Sequence, residues 1–132
     1  MERLKERLAV ARKALLSLSD VLREPKTEIV RDAAIQRFEY TFEALWKAVQ
    51  SYLRTMESLD AGSPKAAIRS SYRVGLLTEE QTRGALVMAD DRSLTIHTYN
   101  ESLAEAIYFR IVDHSRLMKA WLDAMEQQLE KA

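Results

Sequence analysis

The chain has 132 residues, 47% of them hydrophobic and 30% charged, which fits one globular domain with a single core and excludes a disordered chain. It has no cysteine, so a disulfide framework and a thiolate metal site are both excluded. Lys+Arg and Asp+Glu each number 20, so there is no basic surplus of the kind that holds nucleic acid through its phosphates, and any such contact would be local and transient, or shared with a partner. In chain order, Leu4, Leu8, Ala11, Leu15, Leu18 and Leu22 recur three and four apart, which predicts a first helix to about Arg23, ended by Pro25. A second helix is predicted from near Thr27 to about Leu59, with Ile35, Phe38, Phe42, Leu45, Val49, Tyr52 or Leu53, and Met56 on its buried face. Glu39 and Glu43 share another part of its surface, and Glu43 is placed to pair with Lys47 one turn on.

Ala61-Gly62 breaks the chain, and Ser63-Pro64 has the form of a capped helix start. That third helix is short and stops near Gly75. Thr78-Glu-Glu-Gln81 reads as a capping box, opening a fourth short helix from about Glu79 to Ala89. Thr98-Tyr-Asn-Glu101 offers another capping box, with Asn100 an alternative cap, before a long last helix. Its inward positions are Leu103, Ile107, Ile111, His114, Met118, Trp121 or Leu122, and Met125. Residues 1–132 therefore form a single all-α domain, an up-and-down bundle of three long and two short helices. The start MERLKERLAV lacks the apolar core of a secretion signal, and no run spans a bilayer, so the expected location is cytoplasmic, without membrane contact.

Most catalytic signatures are missing, including any glycine-rich phosphate loop. Glu39 and Glu43 have the spacing of a metal pair, but no Glu-x-x-His unit accompanies them, so a solvated face is expected and neither metal nor cofactor is assigned. His114 lies in the apolar stripe of the last helix and reads as a core histidine. His97 instead lies in the polar stretch DDRSLTIHTYNE between two helices, where functional side chains tend to be displayed. In a continuous helix Arg92 and His97 would point apart, whereas an extended segment would put Thr95, His97 and Tyr99 on one side. The other reading is a capping loop with incidental polar residues.

The spacing of Arg92, His97 and Tyr99 matches an Arg-x4-His-x-Tyr motif. With DRSLTIHTYNE, RDAAIQRFEYTFEALWKAVQSYL and SPKAAIRSSYRVGLL, it resembles HEPN-domain proteins of the HepT type, in their nucleotidyltransferase substrate-binding branch. The matching stretches cover most of residues 27 to 108. One departure is that such proteins usually carry a tryptophan where this chain has Ala85 or Leu86. The resemblance implies a HEPN-like homodimer, a minimal nucleotidyltransferase (MNT) as partner and RNA as substrate. It also implies a metal-independent ribonuclease toxin with Arg92 and His97 catalytic, neutralised by addition of AMP to Tyr99. A histidine with an ordinary pKa near 6.5 suits proton transfer, and an arginine fork suits a phosphate. A second reading is a non-catalytic subunit that presents a nucleotide or acceptor to the transferase, and a third is a purely structural dimer. Arg37, Glu39 and Glu43 are candidates to line the cleft.

Overall fold

In the computed structural model, which describes residues 1–132, the stripe Leu4, Leu8, Ala11, Leu15 and Leu18 is buried along helix α1 (Glu2–Leu22). It packs along α2 (Glu28–Glu57), where Thr27 caps the first turn by accepting from the Val30 amide. Phe38, Phe42, Leu45, Val49, Tyr52 and Leu53 form the buried face of α2, and Ser58, in the left-handed region at φ 55°, stops it. Helix α3 (Pro64–Arg73) has Ser63 as its cap, and Gly75, at φ +85°, turns the chain toward α4. The long closing helix α5 (Glu101–Lys131) buries Ile107, Ile111, Met118, Trp121, Leu122 and Met125 against α2 and α1. Trp121 is fully buried and donates its indole N–H to Ser71 Oγ on α3 at 3.2 Å. The result is an all-α, HEPN-like bundle of three long and two shorter helices, and no helix is long and apolar enough to cross a membrane.

Two features fix the region around residues 92–100. Arg31, on the first turns of α2, is buried, and its guanidinium bonds Asp32, Glu101 and Glu105, tying the start of α2 to the start of α5. The hydrogen bonds that Arg31 donates to these carboxylates raise its pKa above the ordinary value. Lys26 also pairs with Glu105 and lies over the Tyr108 ring. The second feature is the length of α4 (Glu79–Leu94). Its capping box at Thr78 and Gln81 forms as the sequence suggests, but the helix continues five residues past Ala89. A single 3-10 turn, Thr95–His97, follows it, and Asn100 caps α5 by accepting from the Leu103 amide.

Candidate functional site

The segment, for which the sequence leaves an extended entry and a capping loop both open, is helical and then tightly turned. Thr95 is buried and turns inward, donating its hydroxyl to the Arg92 carbonyl at 2.7 Å and accepting from Arg92 Nη1 at 3.3 Å. It does not join His97 and Tyr99. Those two do meet, because the 3-10 turn and the bend at Thr98 bring residues two apart onto one exposed knuckle. Tyr99 Oη lies 3.4 Å from His97 Nδ1, and the rings sit edge to face with centroids 6.0 Å apart. Tyr99 is 82% exposed, so this long hydrogen bond is open to solvent.

Arg92 faces the other way, toward α2. Its Nη1 lies 3.8 Å from Glu39 and its Nε 3.5 Å from Glu43. Glu43 thus meets Arg92 and accepts from Trp46 Nε1, and the Glu43–Lys47 pair expected from local spacing is not formed. Arg92 Nε is buried and has no hydrogen-bond partner, the Glu43 oxygen at 3.5 Å making an ion pair but no hydrogen bond. The guanidinium lines two cavities. One, of about 380 Å³, lies beside Lys65 and Ser93, and the other, of about 370 Å³, beside Tyr40, Glu39 and Glu43. Arg37 takes no part, because it donates to the Ser17 carbonyl on α1 at 2.7 Å. No group of three or more His, Asp or Glu gathers to hold a metal ion, and Glu39 and Glu43 are engaged with Arg92.

Directly behind Arg92 lies a buried cluster that sequence reasoning missed. Asp91 accepts from Arg110 Nε at 2.8 Å and Nη2 at 2.7 Å, and from His114 Nε2 at 2.7 Å. Burial would raise the Asp91 pKa, but the hydrogen bonds from Arg110 and His114 outweigh it and lower the pKa below the ordinary value. His114 stacks on Phe38 of α2 at 5.4 Å, so it is the packed, hydrogen-bonded core histidine that its register predicts. The last turn of α4 is in this way fastened to both α2 and α5. A signal was present in the sequence, since Asp91 and Thr95 continue the inward stripe of Ala85 and Met88 at helical spacing.

A family model described as nucleotidyltransferase substrate binding protein like matches residues 6–127. No curated protein matches the chain. Among solved structures, a Thermus thermophilus protein is 55% identical with a TM-score of 0.84, covering 87% of this chain and 98% of its own. A chain of the toxin–antitoxin MntA–HepT is 13% identical with a TM-score of 0.78, covering 96% and 99%. A Haemophilus influenzae protein, whose structure reveals the fold of a substrate-binding domain of a nucleotidyltransferase, is 22% identical with a TM-score of 0.62, covering 95% and 98%. The two low identities speak to the fold alone. The family model spans nearly the whole chain, and on that ground this protein belongs to the nucleotidyltransferase substrate-binding protein-like family.

Proposed function

We propose that the chain is the HepT-like toxin of a toxin–antitoxin module, a metal-independent ribonuclease silenced when a nucleotidyltransferase partner adds AMP to Tyr99. The observation that carries this reading is the exposed contact of 3.4 Å between Tyr99 Oη and His97 Nδ1. A group built on that phenol starts within hydrogen-bond reach of the imidazole and so crowds it. In the tautomer with hydrogen on Nδ1, the ring donates to Tyr99 and leaves the Nε2 lone pair to accept a proton. Transfer of the 2′-hydroxyl proton to His97 lets that oxygen bond to the adjacent phosphorus while the bond to the 5′-oxygen breaks, leaving a cyclic phosphate and a 5′-hydroxyl. The leaving oxygen takes its proton from a second acid, and the His97 of a second copy at a shared cleft suits that role. Arg92 faces α2 and not the knuckle of its own chain, so in this reading it would meet the phosphate at the shared cleft to supply the cation for the charge that builds there. Its unpartnered Nε is a donor in wait of an acceptor. Pairing of two copies is supported by the exposed apolar side chains Ile96 and Phe109, at 69% and 84%.

Silencing would attach the Tyr99 oxygen to the α-phosphorus of ATP, with loss of the phenolic proton and departure of pyrophosphate. Incubation with the partner and ATP, followed by peptide mass spectrometry, is expected to give AMP increments on Tyr99, and increments mapping elsewhere would refute the assignment. Expression of the chain alone is expected to arrest bacterial growth, and Arg92→Ala or His97→Ala to restore it. Harmless expression with intact cellular RNA would favour the second reading, a non-catalytic substrate-binding subunit, which the zero net charge favours.

A further inference from the structure

Away from the knuckle, a cleft of about 290 Å³ opens between the N-terminal half of α1 and the C-terminal half of α2. Arg3, Arg7 and Arg54 line it together with the polar side chains of Gln50, Ser51 and Thr55, and Leu4 is its one hydrophobic residue. A second cleft of about 390 Å³ shares Arg3 and Arg7 and adds Lys47, with Glu6 its only acid. Neither Arg3 nor Arg7 has a carboxylate within 4.0 Å, whereas Arg12, Arg31 and Arg110 on the same bundle are each held by carboxylates. Arg54 pairs with Asp60, but both side chains are largely in water, where such a pair is weak and easily shared with another anion.

The placement of Arg3 and Arg7 is costly to the helix that carries them. They are four apart, so like charges lie one above the other, and they occupy the first turns of α1, where the helix dipole already presents positive charge. In a chain of zero net charge, such a concentration is a local field that an anion would relieve. No aromatic ring lines either cleft, so the ligand is read through its phosphates and not its bases.

The two clefts are also aligned with the site at Arg92. Tyr40, Ala44, Lys47, Ser51 and Arg54 recur at helical spacing on one stripe of α2. Tyr40 lines the cavity beside Arg92, Ala44 and Lys47 the second cleft, and Ser51 and Arg54 the first. That stripe runs for roughly 21 Å at 1.5 Å per residue. A single free phosphate has no use for such length, but a strand with regularly spaced charges does. We infer that Arg3, Arg7, Lys47 and Arg54 form a track for the phosphate backbone of single-stranded RNA, leading along α1 and α2 to Arg92. This assignment rests on the reading that the chain acts on RNA.

The test is binding of a fluorescein-labelled 2′-O-methyl oligoribonucleotide of mixed sequence, which has no free 2′-hydroxyl and is held without being cut. Arg3→Gln/Arg7→Gln is expected to weaken binding about tenfold and to lower the slope of log K against log salt by about 1.4, at roughly 0.7 per phosphate contact. Arg69→Gln/Arg73→Gln, which removes the same charge from exposed positions of α3, is expected to change neither. Ser51→Glu, which puts a negative charge on the track, gives an independent loss should the double variant fold poorly. Equal losses from both arginine pairs, or none from either, overturn the track. So does tripolyphosphate binding that depends on Arg3 and Arg7 while RNA binding does not. A strand held through Arg3 and Arg7 but never cut in its unmodified form would support the track and refute the nuclease, whereas cutting dependent on His97 with unchanged binding in Arg3→Gln/Arg7→Gln would do the reverse.

Discussion

Asp91→Asn changes one atom type at the centre of the cluster behind Arg92. Three donors converge on the native carboxylate, at 2.8 and 2.7 Å from Arg110 and 2.7 Å from His114. An amide keeps the volume but has one acceptor oxygen, so its NH2 group must face a donor. Removing one member of a fully buried pair costs about 3–5 kcal/mol. Here His114 and Asp91 are buried, at 6% and 4% side-chain exposure, but Arg110 is 39% exposed and is able to turn toward water. That relief brings the expected loss to about 2–3 kcal/mol. For a chain of this length the loss corresponds to a fall in Tm of roughly 6–10 °C. Thermal denaturation followed by far-ultraviolet circular dichroism measures it, and amide exchange of residues 92–95 is expected to accelerate as the end of α4 loosens. A Tm within about 2 °C of wild type would show that the cluster does not hold α4 to α5, and the reasoning would fail.

Acid titration gives a related outcome. Asp91 has a folded pKa below its unfolded value near 3.9, so the unfolded state binds the proton more readily. Its contribution is fully present above about pH 5 and is lost as pH falls through the folded pKa, and Asp123 (through Lys119 and Arg12) and Glu105 (through Lys26 and Arg31) act in the same direction. Urea midpoints measured from pH 6 to 3 should fall steeply in wild type and less so in Asp91→Asn. Gly84→Ala should raise stability by about 0.5 kcal/mol, because the helix-propensity gain of about 1 kcal/mol is partly offset where the new Cβ meets Leu117 Cδ2 at 3.3 Å; a lower urea midpoint would show that Leu117 cannot move. Glu39→Gln/Glu43→Gln should strengthen oligonucleotide binding about tenfold, since two charges roughly 5–6 Å from a phosphate on Arg92 each oppose it by about 0.7 kcal/mol at the dielectric of water; unchanged affinity would place the phosphate elsewhere. Phe109→Glu should convert the proposed homodimer to a monomer in light scattering, and an unchanged mass would move the interface off α5.

Much of the bundle was legible because helical periodicity and caps are local. Ser63 and Thr78 each accept from the amide three residues on, as the Ser-Pro start and the capping box predict, and Thr27, near which a helix start is expected, does the same. The end of α4 was only faintly legible: Asp91 and Thr95 continue the inward stripe of Ala85 and Met88, but a polar stripe looks like a solvated junction until its partners on α5 and α2 are known. Glu43 shows the same effect: Lys47 is its partner by local spacing, while Arg92 is remote in sequence and near only after folding. Arg92, His97 and Tyr99 stood out as candidates, yet their arrangement did not. Arg92 turns inward to carboxylates, and His97 reaches Tyr99 through a turn where a strand was considered.

The buried Arg31 clamp acquires a further meaning when taken with Asp91. One pins the first turns of α5 through Glu101 and Glu105, the other pins the last turn of α4, and only the short stretch from Arg92 to Asn100 lies between them. A segment braced at both ends has little slack, so it presents Tyr99 as a rigid handle and not as a tether. A modifying enzyme that works on flexible tails must first draw its target into a cleft, giving up chain entropy as it does so. Here that entropy was surrendered at folding, so an enzyme that modifies Tyr99, as proposed above, would have only to match a fixed contour. Lengthening the stretch by one residue would keep every side chain chemically and, under that proposal, still spoil the fit.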